Sequence, residues 1–189
     1  MVERLAALLR LKSLRRATPE ERAGSALYRE AVAVARQPWF YRELGVTDTL
    51  DGRFDLIALH AFLLIHRLQD APDPGPALAQ GIFDAMFSDM DNNLREIGVS
   101  DLSVGRRMRA MWEAFHGRSQ AYAAAIGAMD RPALEASLAR NVWRGMPPDR
   151  APAMLAGVIL DQVTCLQEQP LEAFAAGDAQ FRQVGQDDS

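Results

Sequence analysis

Three aspartates and two asparagines crowd into FSDMDNNLREIGVSD, residues 87–101. Such a density of carboxylates and amides suits two chemistries. The first is calcium binding. An EF-hand loop needs Asp at its first position, Asp or Asn at the third and fifth, Gly at the sixth and a bidentate Glu at the twelfth. Asp89, Asp91 and Asn93 meet the first three demands, but Leu94 stands in the glycine place and Ser100 in the glutamate place. Met90, Leu94 and Ile97 also carry helical spacing straight through the segment, so a helix is expected there rather than a loop. The second chemistry is acid–base catalysis. Asp84 and Asp91 are seven residues apart and so share a helix face. General acid catalysis would need one of them desolvated, with its pKa raised toward neutrality. Nothing in the sequence supplies that desolvation. Asp91 and Arg95 instead form an acid-before-base pair at helical spacing. The polar side of this helix reads as a solvated face or as a docking face.

The remaining reactive side chains are sparse. His60 and His66 are six residues apart, on different sides of one helix, and cannot grip a metal together. His116 lies in FHGRS, with no GxSxG elbow to supply a nucleophile and no HExxH zinc motif in the chain. Cys165, the one cysteine, permits no intrachain disulfide, and Asp161 one turn earlier would raise its thiol pKa. It reads as a buried, inert thiol. An enzyme would have to gather Asp84, Asp91 and His116 into one pocket. Arg106, Arg107 and Arg109 cluster near a helix start and could meet phosphate, but no aromatic residues interleave with them. A ribosome or RNA binder would use that cluster with the basic residues at 10–16. The net charge of −4 counts against it and against a DNA partner.

All of these residues need helices to position them. Strand alternation is absent, and Pro and Gly fall between apolar-periodic segments. Residues 2–16 are expected to form a short amphipathic helix with Arg4, Arg10, Lys12, Arg15 and Arg16 set against Glu3. Its charges either face solvent or rest on an anionic membrane surface. Thr18, Pro19 and Glu21 make a capping box for a helix reaching about Arg36. A short helix carries Trp39, Phe40 and Tyr41. RFDLIALHAFLLIHRL, at 53–68, is apolar nearly all round and should be the central buried helix. DAPDPGP then reads as a loop. Ile82, Phe83, Met86, Phe87, Met90, Leu94 and Ile97 stripe the next helix, which Gly98 should stop in a Schellman turn. Val104, Met108, Met111, Trp112, Phe115 and Tyr122 stripe the one after. Asp130 caps a helix ending near Trp143, and Asp149 caps one from about 151 to 168. A short piece follows to about 176. The expectation is an all-α fold: a single compact domain of seven to eight helices over 17–178, preceded by the basic helix at 1–16 and followed by a disordered polar tail at 179–189. Uncharged runs such as residues 119–129 fall far short of the about 20 apolar residues a membrane span needs.

RFDLIALHAFLLIHRL (53–68), DMDNNLREIGVSDLSVGRRM (89–108), FHGRSQAY (115–122) and LARNVW (138–143) together resemble the ubiquinol–cytochrome c chaperone family. The run from DMD to GRRM is the specific part. The resemblance implies an all-helical assembly factor without catalytic residues or cofactor. It would bind newly made cytochrome b and assist biogenesis of the respiratory ubiquinol–cytochrome c reductase. The chain is similar to bacterial-type members, which implies a cytoplasmic protein working near the inner membrane. No small-molecule substrate or metal is implied. The patterned residues on this chain include Gly98, Ser103, Val104 and Gly117. The polar candidates for partner contact are Asp89, Asp91, Arg95, Glu96, Asp101, Arg106, Arg107, Arg118 and Tyr122.

Overall fold

Thr18 opens the first helix as the capping box requires. Its hydroxyl accepts from the Glu21 amide at 3.2 Å, and the Glu21 carboxylate accepts from the Thr18 amide at 2.9 Å. Two otherwise bare amides are satisfied. The computed structural model describes residues 16–185. Among them lie eight helices and no strand: α1 (Pro19–Ala35), α2 (Pro38–Arg42), α3 (Leu50–Leu68), α4 (Gly75–Glu96), α5 (Asp101–Gly127), α6 (Arg131–Val142), α7 (Ala151–Glu168) and α8 (Leu171–Ala176). They pack as one domain around one core. The basic helix expected at 2–16, with Arg4, Arg10, Lys12 and Arg15, lies outside the described residues. Arg16 is exposed and precedes α1 in irregular backbone.

α3 is the axis of the fold. Leu56, Leu59, Leu63, Leu64 and Leu68 are all buried, and the helix touches α1, α4, α5, α6 and α7. It starts at Leu50, earlier than its apolar run, because the Thr49 hydroxyl accepts from the Gly52 amide at 3.2 Å. α4 also starts early, at Gly75, inside the proline-rich stretch. Proline is tolerated in a first helical turn, where its missing N–H would have no partner. α1 and α4 cross backbone to backbone. A Cβ on Gly24 would stand 2.6 Å from the Gly81 carbonyl carbon, and one on Gly81 would stand 2.9 Å from the Glu20 oxygen.

Two expectations need correction. Asp149 does not cap α7. Arg150 takes the N-cap position with φ 64°, and the Ala151 amide bonds the Pro148 carbonyl, so backbone closes the turn. The chain after residue 178 is not a loose polar tail as far as residue 185. Ala179 is fully buried and Phe181 packs on the core. The Gln162 side-chain amide donates to the Arg182 carbonyl at 2.7 Å and accepts from its N–H at 2.8 Å. Gln169 does the same for Gln180, at 2.7 and 2.9 Å. Two glutamines thus hold this strap as a neighbouring strand would.

Candidate functional site

α4 ends at the glycine that the sequence marks as its stop. Gly98 sits at φ 82°, its amide bonds the Arg95 carbonyl, and the Val99 amide bonds the Leu94 carbonyl, each at 3.0 Å. This is a Schellman turn. It swings the chain into α5 so that three of the polar candidates meet. The Arg95 guanidinium donates from Nε to Asp91 at 2.6 Å and from Nη1 to Asp101 at 2.5 Å. Asp101 also lies in the first turn of α5, where negative charge meets unpaired amides. Asp91, Arg95 and Asp101 therefore staple the α4–α5 corner. Asp89 points elsewhere: its carboxylate accepts from the Tyr28 hydroxyl of α1 at 2.8 Å. Burial, reinforced by that bond, pushes the Tyr28 phenol well above its usual range. Asp89 and Asp91 stand on continuous helix with Asn93, so the loop an EF-hand needs is not formed.

The other candidates separate by burial. Glu96, Arg106 and Arg107 are exposed. Neither Arg106 nor Arg107 has an ion-pair partner among the described residues. Tyr122 is a correction: it is buried, packed beside Phe62, and hydrogen-bonded to Asn141. Burial pushes its phenol up to about 12. It faces the core because it continues the apolar stripe of α5, and it offers nothing to a partner. Arg118 reaches inward from α5 to Asp55 of α3, whose other oxygen accepts from Arg144 at 2.5 Å. Asp55 is 1% exposed at its side chain. Burial raises its carboxyl pKa, and the two guanidiniums oppose that shift.

Asp55 and Arg144 were not among the sequence candidates. The signal for Asp55 was present: a carboxylate inside an apolar helix must find a cation. Arg144 had no such mark. It follows α6 in a left-handed turn, at φ 55°, and reaches Asp55 across the fold. The pair of arginines stands at one wall of a groove between α3, α4 and α5. The groove holds about 520 Å³ and is floored by Phe54, Met90, Leu94 and Met111, with Arg107 on its rim.

Asp84, Asp91 and His116 do not converge. Asp84 accepts from Gln80 at 2.7 Å, Asp91 is taken by Arg95, and His116 stacks on Trp112 with Gln120 at 3.2 Å from its Nε2. His60 is fully buried. Its Nδ1 donates to the Leu56 carbonyl at 2.8 Å, its Nε2 has no partner, and burial lowers its pKa to about 4. His66 is stacked on Phe62, and burial lowers its pKa too. Cys165 is half-buried rather than buried, with its thiol 3.8 Å from the Gln180 carbonyl of the strap.

The family model for the ubiquinol-cytochrome C chaperone matches residues 42–181. The chain belongs to the ubiquinol–cytochrome c chaperone family. The match spans the stapled corner, the groove and the strap as far as Phe181. The crystal structure of the Cbp3 homolog from Brucella abortus is similar over 97% of this chain and 99% of that one, with 38% identity and a TM-score of 0.81. Ubiquinol-cytochrome-c reductase complex assembly factor 1 of Xenopus laevis is 26% identical over 107 residues, 57% of this chain. The chain matches about half the length (51%) of that curated relative. The family is named for chaperones and the Xenopus protein for an assembly factor. No helix among the described residues is long and apolar enough to cross a membrane.

Proposed function

We propose that this chain chaperones newly made cytochrome b during assembly of the ubiquinol–cytochrome c reductase. The observation that carries the proposal is the open groove between α3, α4 and α5, with an apolar, Met-containing floor and arginines at its edge. A chaperone for a membrane protein must cover apolar helices for a time and then release them. A shallow groove with adaptable methionines and a polar margin suits that task. Arg95, Glu96, Arg106 and Arg107 border the corner from which a client would enter. Arg118 contributes from the groove wall. The basic residues Arg4, Arg10, Lys12, Arg15 and Arg16 would hold the chaperone near the inner-membrane surface or the ribosome, on the cytoplasmic side. The function needs no cofactor.

Deleting the gene tests the role. The cytochrome b and c signals of the complex should fall while its transcripts persist; normal assembly in the deletion strain would refute it. A photo-crosslinker at Met111 tests the site. It should capture cytochrome b in intact cells, and charge reversal at Arg106 and Arg107 should weaken that capture without lowering the melting temperature. If capture survives and only thermal stability drops, those arginines serve the fold.

A further inference from the structure

We infer that the groove selects apolar client segments that carry a carboxylate, and that Arg144 is the residue that reads it. The inference rests on the groove being the client site and adds its specificity. Charge along the groove is unbalanced: Arg107, Arg118 and Arg144 line it against Asp51 and Asp55. Arg118 and Arg144 both converge on the single carboxylate of Asp55. One guanidinium is enough to neutralise it, so the second is in excess beside an apolar floor. The two arginines are not equivalent. Arg118 is 21% exposed and is fixed in the wall by α5. Arg144 is 48% exposed and stands on the loop after α6 in a left-handed conformation. It is the more solvent-accessible of the two guanidiniums, and its Nη1 is shared between Asp55 and the Asn141 carbonyl at 2.6 Å, so it keeps one partner when it leaves Asp55.

A client segment with one acidic side chain among apolar ones can therefore trade with Asp55. Its apolar residues cover Phe54, Met90, Leu94 and Met111. Its carboxylate takes Arg144, while Arg118 continues to neutralise Asp55. Charge is conserved at the wall throughout. Asp55 acts as an internal competitor that holds Arg144 in place when the groove is empty, which keeps affinity moderate and release possible. A segment with Gln in that place leaves Arg144 on Asp55 and gains only apolar contact. A segment with Lys meets repulsion.

The test uses the full chain and three fluorescent synthetic helices of Ala and Leu, identical except for one central Glu, Gln or Lys. Anisotropy titrations should show the Glu peptide binding about tenfold tighter than its Gln twin, with Lys weakest. Arg144→Gln, on an exposed loop, should bring Glu and Gln within about twofold. Asp55→Asn should tighten the Glu peptide further, because the competitor is gone. That gain is a readout that a purely structural ion pair would not produce. If Asp55→Asn does not fold, Arg144→Gln decides alone. Equal affinities for the three peptides would overturn the inference, and a persisting Met111 crosslink to cytochrome b would then leave the client site standing. Arg144-dependent binding to anionic lipid vesicles in place of the Glu peptide would also overturn it. Loss of the crosslink alone would instead fault the client assignment.

Discussion

His60 is the side chain with most to lose from acid. The unfolded imidazole titrates near 6.5, whereas burial holds the folded one near 4, against a small opposing effect of the Leu56 carbonyl. Between those values the unfolded chain takes up a proton that the native chain refuses. Stability is therefore complete above pH 6.5 and falls as the pH drops toward 4. The loss from this one group is about 3 kcal/mol, at roughly 1.4 kcal/mol per pKa unit. Urea unfolding at stepped pH should show that fall, and His60→Gln should flatten it even though the variant starts from a lower plateau. An unchanged slope in His60→Gln would place the acid sensitivity elsewhere. Asp55 is the residue the sequence advertises and Arg144 the one it hides. A buried carboxylate announces a need for a cation, but not which cation, 89 residues downstream, will meet it.

The helices were legible where their ends have local chemistry. Thr18 and Glu21 form their reciprocal bonds, and Gly98 takes the left-handed angle that the sequence spacing demands. Ends without such chemistry were harder to see. The first turn of α4 hides in prolines, and α7 begins from Arg150 because of the path the chain takes through Pro148. The contact between α1 and α4 leaves no room for added atoms. Gly24→Ala would gain up to about 1 kcal/mol in helix propensity. Its Cβ would also strike backbone of α4 at 2.6 Å, and forcing packed helices apart costs typically 1–3 kcal/mol. The midpoint of urea unfolding should fall, and fall further for Gly24→Ala than for Gly81→Ala, whose Cβ comes within 3 Å only of the Glu20 carbonyl oxygen. A rise in the midpoint would mean that α1 and α4 can separate freely.

Residues 179–185 close the core on one side. Phe181 lays its ring edge-on to His60, at 5.5 Å, and the chain ends its described course with Gly185 against Trp39. The strap was invisible in the sequence for a physical reason. It has no helical period, its neighbours are polar, and its binding sites are two glutamines on another element. Removing residues 179–189 should uncover His60 and Trp39, lower the melting temperature and shift Trp fluorescence to the red. Unchanged emission and melting would show that the strap adds nothing to the fold. The stapled corner is the helix ending that Gly98 marks, and its acids serve two purposes: Asp89 ties α4 to α1, and Asp91 with Asp101 ties α4 to α5.

The strap also divides mutational freedom unequally. On the strap, the bonds from Gln162 and Gln169 go to N–H and C=O groups of residues 182 and 180, groups that every amino acid except proline carries. The clamp is therefore indifferent to which side chains residues 180 and 182 bear, and those two positions are open to drift or engineering. The constraint lies on the glutamines themselves: Glu in their place would lack the donor, and Lys would lack the acceptor.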